Sequence, residues 1–371
     1  MLWCRPVYSG LSSSQVLHAS APGRIVLFGE HQDYFHLPVI AAGINLRMNI
    51  EGQLHNRPGI YLELRNLRRT YSLPIKFPIE YRFRRAYIQS ALNVLHRKGF
   101  EIPPFRAAIS GNIFQNAGLS SSSALTVAWT QFLAGLVGQE LTKDQVAQAA
   151  YEAEVLEFNE PGGPQDHYAT ALGRVHYFEF PPEKLPLFKP LDPQKLGEVE
   201  LVIGNSQTRK ATLHTIRRIK HRVFNSARAL TLPSLATLPV SEVGSDNSHR
   251  TLRAILKIRD MTLEGRDLFN DSVVDGRTLG RYLTAQHTVL RDELFLSIPR
   301  IEGMIEGALE GGAYGAKING SGQGGCMIAV CPPDAVDSVM DGIRQGRGVP
   351  VHAQLDEGVT LTVREEAGSG G

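Results

Sequence analysis

The chain has 371 residues, of which 42% are hydrophobic and 20% are charged, and its formal net charge is +2. This composition is typical of a globular protein of about two domains and excludes an extended disordered chain. Because the net charge is close to zero, it gives no support to a nucleic-acid or membrane-surface role, and we expect neither partner.

Cysteine usage and the distribution of apolar residues indicate a compartment. The three cysteines, Cys4, Cys326 and Cys331, exclude a disulfide framework and favour a reducing environment. No cysteine or histidine pair has zinc spacing, and no apolar run approaches the roughly 18 residues of a membrane span. Gly10 and several serines interrupt the first residues, which argues against a secretion signal. We therefore expect a cytoplasmic protein.

The first half of the chain combines short strands with helices. Apolar and β-branched runs predict the strands, whereas apolar residues at helical spacing, capping residues and terminal glycines predict the helices. The predicted strands are residues 25–28, 39–50, 105–109 and 175–180. The predicted helices are residues 81–98, a segment from the serine run to residue 137, residues 143–158, and a further helix starting near residue 165.

A proline-rich stretch over residues 181–193 predicts the domain boundary. Beyond it the predicted strands are residues 199–203, 315–319, 325–331, 350–354 and 359–363. The predicted helices are residues 211–230, 250–264, 277–296, 300–311 and 333–345. Since strands and helices are mixed rather than regularly alternating, both halves are predicted to be α+β.

The most informative stretch is residues 116–124, where Gly118 precedes four serines and an apolar helix begins. A first helical turn with such small side chains exposes free backbone N–H groups and the positive end of the helix dipole, which suits phosphate oxygens. A serine-rich helix cap would explain the stretch equally well when it is taken alone. The stretch is not a Walker A loop, because no Gly-Lys-Ser/Thr follows.

A second motif, residues 21–34, lets a predicted strand deliver Glu30, His31 and Asp33 to one loop. These side chains could hydrogen-bond several hydroxyls at once, as a buried sugar or polyol requires. A charged loop after a strand is also commonplace. A third motif, residues 315–326, has four glycines within six residues and would let the backbone approach a ligand closely.

Together the three motifs closely resemble the signature motifs of the GHMP small-molecule kinases, and the galactokinase branch is the most similar. Segments 205–209 and 287–292 also have galactokinase counterparts, so the resemblance runs from about residue 19 to residue 331. It implies a two-domain α+β fold with the active site in the cleft between the domains. Residues 15–190 would resemble the second domain of ribosomal protein S5, and residues 191–371 would form a ferredoxin-like domain.

The resemblance implies ATP and Mg²⁺ as cofactors and a role for each motif. Asp166 would be the catalytic base, and Arg24 would be the cation paired with it. Glu154, 12 residues before Asp166, would bind Mg²⁺ together with a hydroxyl of Ser121 or Ser122. The residues implied to bind the ATP phosphates are Gly118, Leu119, Ser120, Ser121, Ser122, Ser123, Gly322 and Gly324. The residues implied to bind the sugar are Glu30, His31, Asp33, Gly163 and Arg209.

Some residues depart from the galactokinase pattern. Segment 35–37 differs from the usual Asn-x-Gly, His167 stands where glutamine is common, and the sugar-pocket tyrosine has no clear counterpart. Segment 162–173 also resembles the heptose-phosphate kinases of the same superfamily. We expect an ATP-dependent kinase that acts on a small-molecule sugar, with the anomeric C1 hydroxyl favoured, as a monomer or homodimer. The alternatives are a heptose-phosphate or other polyol-type kinase and a catalytically silent galactokinase-like sugar sensor.

Overall fold

The computed structural model describes residue 12 and residues 14–230, 234–269 and 275–365. The strands in this part of the chain are β1 (Gln15–Phe28), β2 (Val39–Leu54), β3 (Ile60–Leu64), β4 (Arg69–Leu73), β5 (Phe105–Gly111), β6 (Val175–Glu179), β7 (Leu187–Leu191), β8 (Glu200–Asn205), β9 (Gly315–Ile318), β10 (Cys326–Cys331), β11 (Val349–Ala353) and β12 (Thr360–Glu365). The α-helices are α1 (Tyr87–Arg97), α2 (Ser121–Leu136), α3 (Lys143–Tyr151), α4 (Gln165–Leu172), α5 (Thr212–Ala229), α6 (Arg250–Leu268), α7 (Gly276–Asp292), α8 (Pro299–Glu310) and α9 (Val336–Gln345).

The first domain is built on an eight-stranded sheet in which β12, β1, β2, β5, β3 and β4 are neighbours in that order, while β6 pairs with β2 and β7. The pairing is antiparallel except between β3 and β5, which run parallel. β12 pairs with the outer edge of β1, so the last strand of the described residues lies in the first domain and not in the second. The predicted division at residues 190 and 191 therefore needs this correction.

Helix α2 is the central helix of the first domain, and its apolar sequence explains its position. It packs against β1 and β2, and Trp129 is fully buried between Phe105 and Phe132. The Trp129 indole N–H donates to the Ile88 carbonyl oxygen at 3.1 Å, so its polar atom is satisfied inside the core. This packing fixes the first turn of α2 relative to the sheet.

The second domain has a four-stranded antiparallel sheet in the order β11-β8-β10-β9, covered by helices. Helix α7 packs closely on β9 because Gly280 and Gly315 meet without side chains, and α8 and α9 meet in the same way at Gly307 and Gly342. The expected two-domain α+β architecture is confirmed.

Strand β9 and the turn after it join the two domains. The Lys317 ammonium donates to the Val26 carbonyl oxygen at 2.8 Å and forms a fully buried ion pair with Glu30. The Asn319 side chain accepts from the Val26 N–H at 2.9 Å and donates to the Gly118 carbonyl oxygen at 2.7 Å.

Among the helices of the described residues, none has the length and apolar character to cross a membrane.

Candidate active site

A cavity of about 280 Å³ lies between the two domains, and all three sequence motifs reach it. The first domain contributes the loop after β1, the start of α2 and the turn before α4. The second domain contributes the residues around the start of α5 and the turn after β9. Segments far apart in the sequence thus form one site.

An ion pair between Asp166 and Arg24 lines the cavity. Arg24 lies buried on β1, and its Nε and Nη2 atoms lie 2.8 and 2.7 Å from Asp166 Oδ1. Burial alone would raise the pKa of the Asp166 carboxyl, but the Arg24 guanidinium holds it below its ordinary value. Asp166 is therefore ionised at neutral pH and able to accept a proton.

The serine run begins α2 and faces the cavity. Ser120 adopts a left-handed conformation with φ of 57°, and the helix starts at Ser121. Ser120, Ser121, Ser122 and Ser123 all line the cavity, and so does Gly118. The first-turn N–H groups have no partner within the helix, so this end of α2 can bind anionic oxygens.

Leu119 occupies a different position from its neighbours in this loop. Its side chain is fully buried and does not line the cavity. Its carbonyl oxygen accepts a hydrogen bond from the Arg24 N–H at 3.1 Å. Leu119 therefore ties the loop to β1, and its contact with the ATP phosphates stays a prediction.

Glu154 lies in a π-helical turn, Glu152–Leu156, that continues α3. Its Oε2 atom accepts hydrogen bonds from Thr126 at 3.0 Å and from His167 Nε2 at 2.9 Å. Burial would raise the pKa of the Glu154 carboxyl, but His167, Ser122 and Thr126 lower it below the ordinary value. The cavity thus has an ionised carboxylate beside the serine run.

These residues fit a magnesium ion better than a metal held by protein alone. No group of three or more histidine, cysteine, aspartate or glutamate side chains suitable for a metal occurs in the described residues. Mg²⁺ usually takes one or two carboxylates and completes its octahedron with phosphate and water oxygens. Glu154, Ser121 and Ser122 supply oxygen donors of this kind.

Asp33 and Gly163 also line the cavity and are in close contact with each other. The Gln165 N–H donates to Asp33 Oδ2 at 3.3 Å. A Cβ on Gly163 would clash with that same carboxylate oxygen, so glycine is required there. Burial and the nearby Asp166 raise the pKa of Asp33 to about 6.

His31 and Glu30 also line the cavity, although their own partners restrict them. His31 Nδ1 lies 2.6 Å from the Tyr34 hydroxyl, and burial lowers the pKa of His31 to about 3, so the ring is neutral. The Glu30 carboxylate is engaged by Lys317. Glu30 therefore holds the domain junction, and any contact with a substrate would be in addition to that.

The second domain places Lys210 in the cavity and leaves Arg209 exposed outside its lining. Gly320 and Ser321 line the cavity, but Gly322 and Gly324 do not. A Cβ on Gly322 would meet Leu296, and one on Gly324 would meet Thr208. These two glycines allow the turn to pack inside the second domain, and the geometry gives no support for their predicted contact with phosphates.

Several lining residues were not expected from the sequence. Arg85 and Glu160 form a 2.8 Å ion pair, and both line the cavity together with Tyr87. The only sequence feature that could have indicated a role for Lys210 in the cavity is its position directly after the segment 205–209. For His167 the only such feature is its position after Asp166. Nothing in the local sequence shows that these side chains point inward.

Three family models match the chain. The model of the GHMP kinases N terminal domain matches residues 86–174, and the model of the GHMP kinases C terminal matches residues 273–346. The model of the galactokinase galactose-binding signature matches residues 10–53. The matched segments contain the serine run, the loop after β1 and the turn after β9.

The chain is also similar along most of its length to known kinases. It is 26% identical to a mevalonate kinase of Thermococcus sibiricus, covering 92% of this chain and 97% of that protein. It is 26% identical to a galactokinase of Thermococcus kodakarensis, covering 84% and 88%. The crystal structure of Lactococcus lactis galactokinase complexed with galactose superimposes with a TM-score of 0.81 at 22% identity, covering 94% of this chain and 96% of the other.

Proposed function

The chain belongs to the GHMP kinase superfamily of ATP-dependent kinases, and on that basis we propose that it transfers the γ-phosphate of ATP to a sugar hydroxyl. The observation that carries the proposal is the Asp166–Arg24 pair, which lies between the serine run and the loop of Asp33. This is where a donor phosphate and an acceptor hydroxyl would have to meet. The anomeric C1 hydroxyl is the favoured acceptor group.

In this proposal Asp166 accepts the proton of the acceptor hydroxyl. The hydroxyl oxygen attacks the γ-phosphorus at the same time, and the bond between the γ-phosphorus and ADP breaks. A strong base is not needed, because phosphoryl transfer has a loose transition state in which positioning dominates. The hydrogen bonds from Arg24 fix the orientation of the carboxylate, and the guanidinium offsets negative charge on the transferring group.

The N-terminus of α2 would bind the ATP phosphates through its free N–H groups and the hydroxyls of its serines. Glu154 with Ser121 or Ser122 would hold Mg²⁺, which offsets phosphate charge when it is bound. His167 and Thr126 keep the Glu154 carboxylate in place through their hydrogen bonds. In this proposal these residues together hold the phosphates in position for transfer.

The loop after β1 and the match to the galactose-binding signature support a sugar as acceptor. A hydroxy acid such as mevalonate is the second candidate, because mevalonate kinases are among the relatives over nearly the whole chain. Lys210 gives this candidate a specific observation, since it brings a positive charge to the cavity. Phosphorylation of a heptose phosphate by the same fold is the third candidate function.

The test is an ADP-release assay with ATP and Mg²⁺ against galactose, other free sugars, sugar phosphates and mevalonate. Turnover on a sugar supports the proposal, and turnover on mevalonate alone replaces the sugar with the hydroxy acid. Binding of a sugar without any ADP release would instead indicate the silent sensor.

A further inference from the structure

Lys210 is held in the cavity by glycines of both domains. It lies just before α5, and its stem passes over Gly325, where a Cβ would lie 2.5 Å from Lys210 Cδ. The ammonium reaches Gly118 of the serine loop and Gly320 of the turn after β9, and a side chain at Gly118 would clash with it. The position of this ammonium is therefore built into the domain junction.

The cavity gives Lys210 no carboxylate partner among the described residues. Its ammonium lies 3.5 Å from the Asn319 carbonyl oxygen, which is at the limit of a hydrogen bond. The other cations that line the cavity are paired, Arg24 with Asp166 and Arg85 with Glu160. Because the Lys210 side chain is partly shielded from water and no carboxylate pairs with it, this position favours an anionic ligand.

Further cations lie near Lys210 on the His31 side, although the charges of Glu30 and Asp166 also act on Lys210. The His31 ring is neutral, and the charges of both Lys210 and Arg218 act on it to lower its pKa. The Nη2 atom of Arg218 is buried and has no hydrogen-bond partner among the described residues. Lys220 lies over the Tyr34 ring at 5.2 Å from its centroid. An anionic group other than the ATP phosphates would therefore lie near several positive charges here.

We propose that the acceptor substrate carries an anionic group, a carboxylate or a phosphate, and that the Lys210 ammonium binds it. This inference rests on the proposed kinase function and adds the chemical class of the acceptor. Lys210 then selects the substrate, and Asp166 carries out the proton transfer. A charged hydrogen bond of this kind corresponds to about 10- to 100-fold in affinity.

The test compares acceptors that differ in one group. Galactose, galacturonate and galactose 6-phosphate differ only at C6, and mevalonate adds a carboxylate that is not on a sugar. ADP release is measured with wild type, Lys210→Met, Lys210→Arg and the exposed-surface control Lys184→Met. We expect one anionic acceptor to exceed galactose at least tenfold in kcat/KM, and the better of the two anionic groups identifies carboxylate or phosphate.

In Lys210→Met we expect the KM for that acceptor to rise about 10- to 100-fold and the KM for ATP to stay within about twofold, with partial recovery in Lys210→Arg. Equal or better turnover on galactose, unaffected by Lys210→Met, would overturn the inference while leaving the kinase proposal intact. A rise in the KM for ATP with every acceptor would also overturn it, by assigning Lys210 to the nucleotide.

Absence of turnover on all four acceptors would count against the kinase proposal, and calorimetric titration of the same compounds then decides the inference separately. Binding of an anionic compound that is lost in Lys210→Met supports it, and absence of such binding overturns it. Thermal unfolding of each variant identifies any loss that comes from misfolding.

Discussion

Arg24 makes two contacts with Oδ1 of Asp166, and these keep the carboxylate ionised and fixed in orientation. Asp166→Asn keeps the shape of the side chain but cannot accept the proton. We expect kcat to fall by about 10²- to 10⁴-fold while ATP and acceptor still bind, as measured by ADP release and by titration calorimetry. The exposed carboxylate Asp341 provides the control variant Asp341→Asn. If Asp166→Asn kept a tenth of the rate, the assignment of the base would be wrong.

Asp33 predicts a pH-dependent stability. The pKa of Asp33 in the folded protein is raised to about 6 from 3.8, chiefly by burial. Between these two pH values the folded protein keeps a proton on Asp33 that the unfolded chain has already released. Ionised Asp33 therefore destabilises the fold by about 3 kcal/mol above pH 6, and this cost disappears as the pH falls towards 4. We expect Asp33→Asn to raise the Tm at pH 8 and to leave it nearly unchanged at pH 4. An equal gain at both pH values would contradict the shifted pKa.

At this scale the motifs predicted residues whose chemistry depends on a recognisable spacing. Arg24, Glu154 and Asp166 lie in the cavity as predicted, although their roles stay proposals. Arg209 and Lys210 carry the same charge at neighbouring positions, and only the path of the chain after β8 decides which one points inward. Gly322 and Gly324 could not be distinguished from Gly320, because a glycine needed for packing has the same letter as one needed by a ligand.

The serine loop and α2 act as one element, and Gly118 is where the element meets the second domain. Gly118 has φ of +85°, and a Cβ there would lie 2.8 Å from the Asn319 carbonyl oxygen. We expect Gly118→Ala to displace the loop and raise the KM for ATP at least tenfold, as measured by ADP release.

Gly99 offers a matched control for Gly118. It has a similar φ of +90°, but a Cβ there meets nothing within 4 Å. Gly99→Ala therefore adds the same backbone strain, about 1–2 kcal/mol, without a steric clash. It should lower stability and leave the KM for ATP unchanged. A similar KM in both variants would indicate that strain, and not the contact with the second domain, governs the loop.

The π-helical turn after α3 shows what helical periodicity could not predict. The sequence predicted one helix over residues 143–158, whereas α3 ends at Tyr151 and the turn Glu152–Leu156 follows. The Ser90 hydroxyl of α1 donates to the Ala153 carbonyl oxygen inside this turn. Such a turn changes the direction of its side chains, including that of Glu154. The hydrogen bond from Ser90 supports the turn from a neighbouring helix.

The two domains are one unit because contacts distant in sequence connect them. The three motifs predicted the family and the α+β fold class, and both were confirmed. The return of β12 to the edge of β1 was not predicted, since strand pairing across more than three hundred residues leaves no local signal. Lys317 likewise gave no sign that its side chain would be fully buried against Glu30.

The Lys317–Glu30 pair predicts how strongly the junction contributes to stability. Lys317→Met leaves the Glu30 carboxylate buried without its cation and removes the hydrogen bond to the Val26 carbonyl oxygen. We expect this to lower the free energy of unfolding by about 3–5 kcal/mol in denaturant titrations. The exposed pair of Arg344 and Asp341 is the control, and Arg344→Met should cost less than about 1 kcal/mol.

The double variant Glu30→Gln/Lys317→Met separates the charge from the packing. It removes both charges together, so no ion is left buried without a partner, and neutral replacement of such pairs is often tolerated. We therefore expect the double variant to be more stable than Lys317→Met alone, because the single variant carries the cost of an isolated carboxylate. If the losses instead added, the two side chains would act independently. The junction would then be held by packing and by the Asn319 hydrogen bonds rather than by the ion pair.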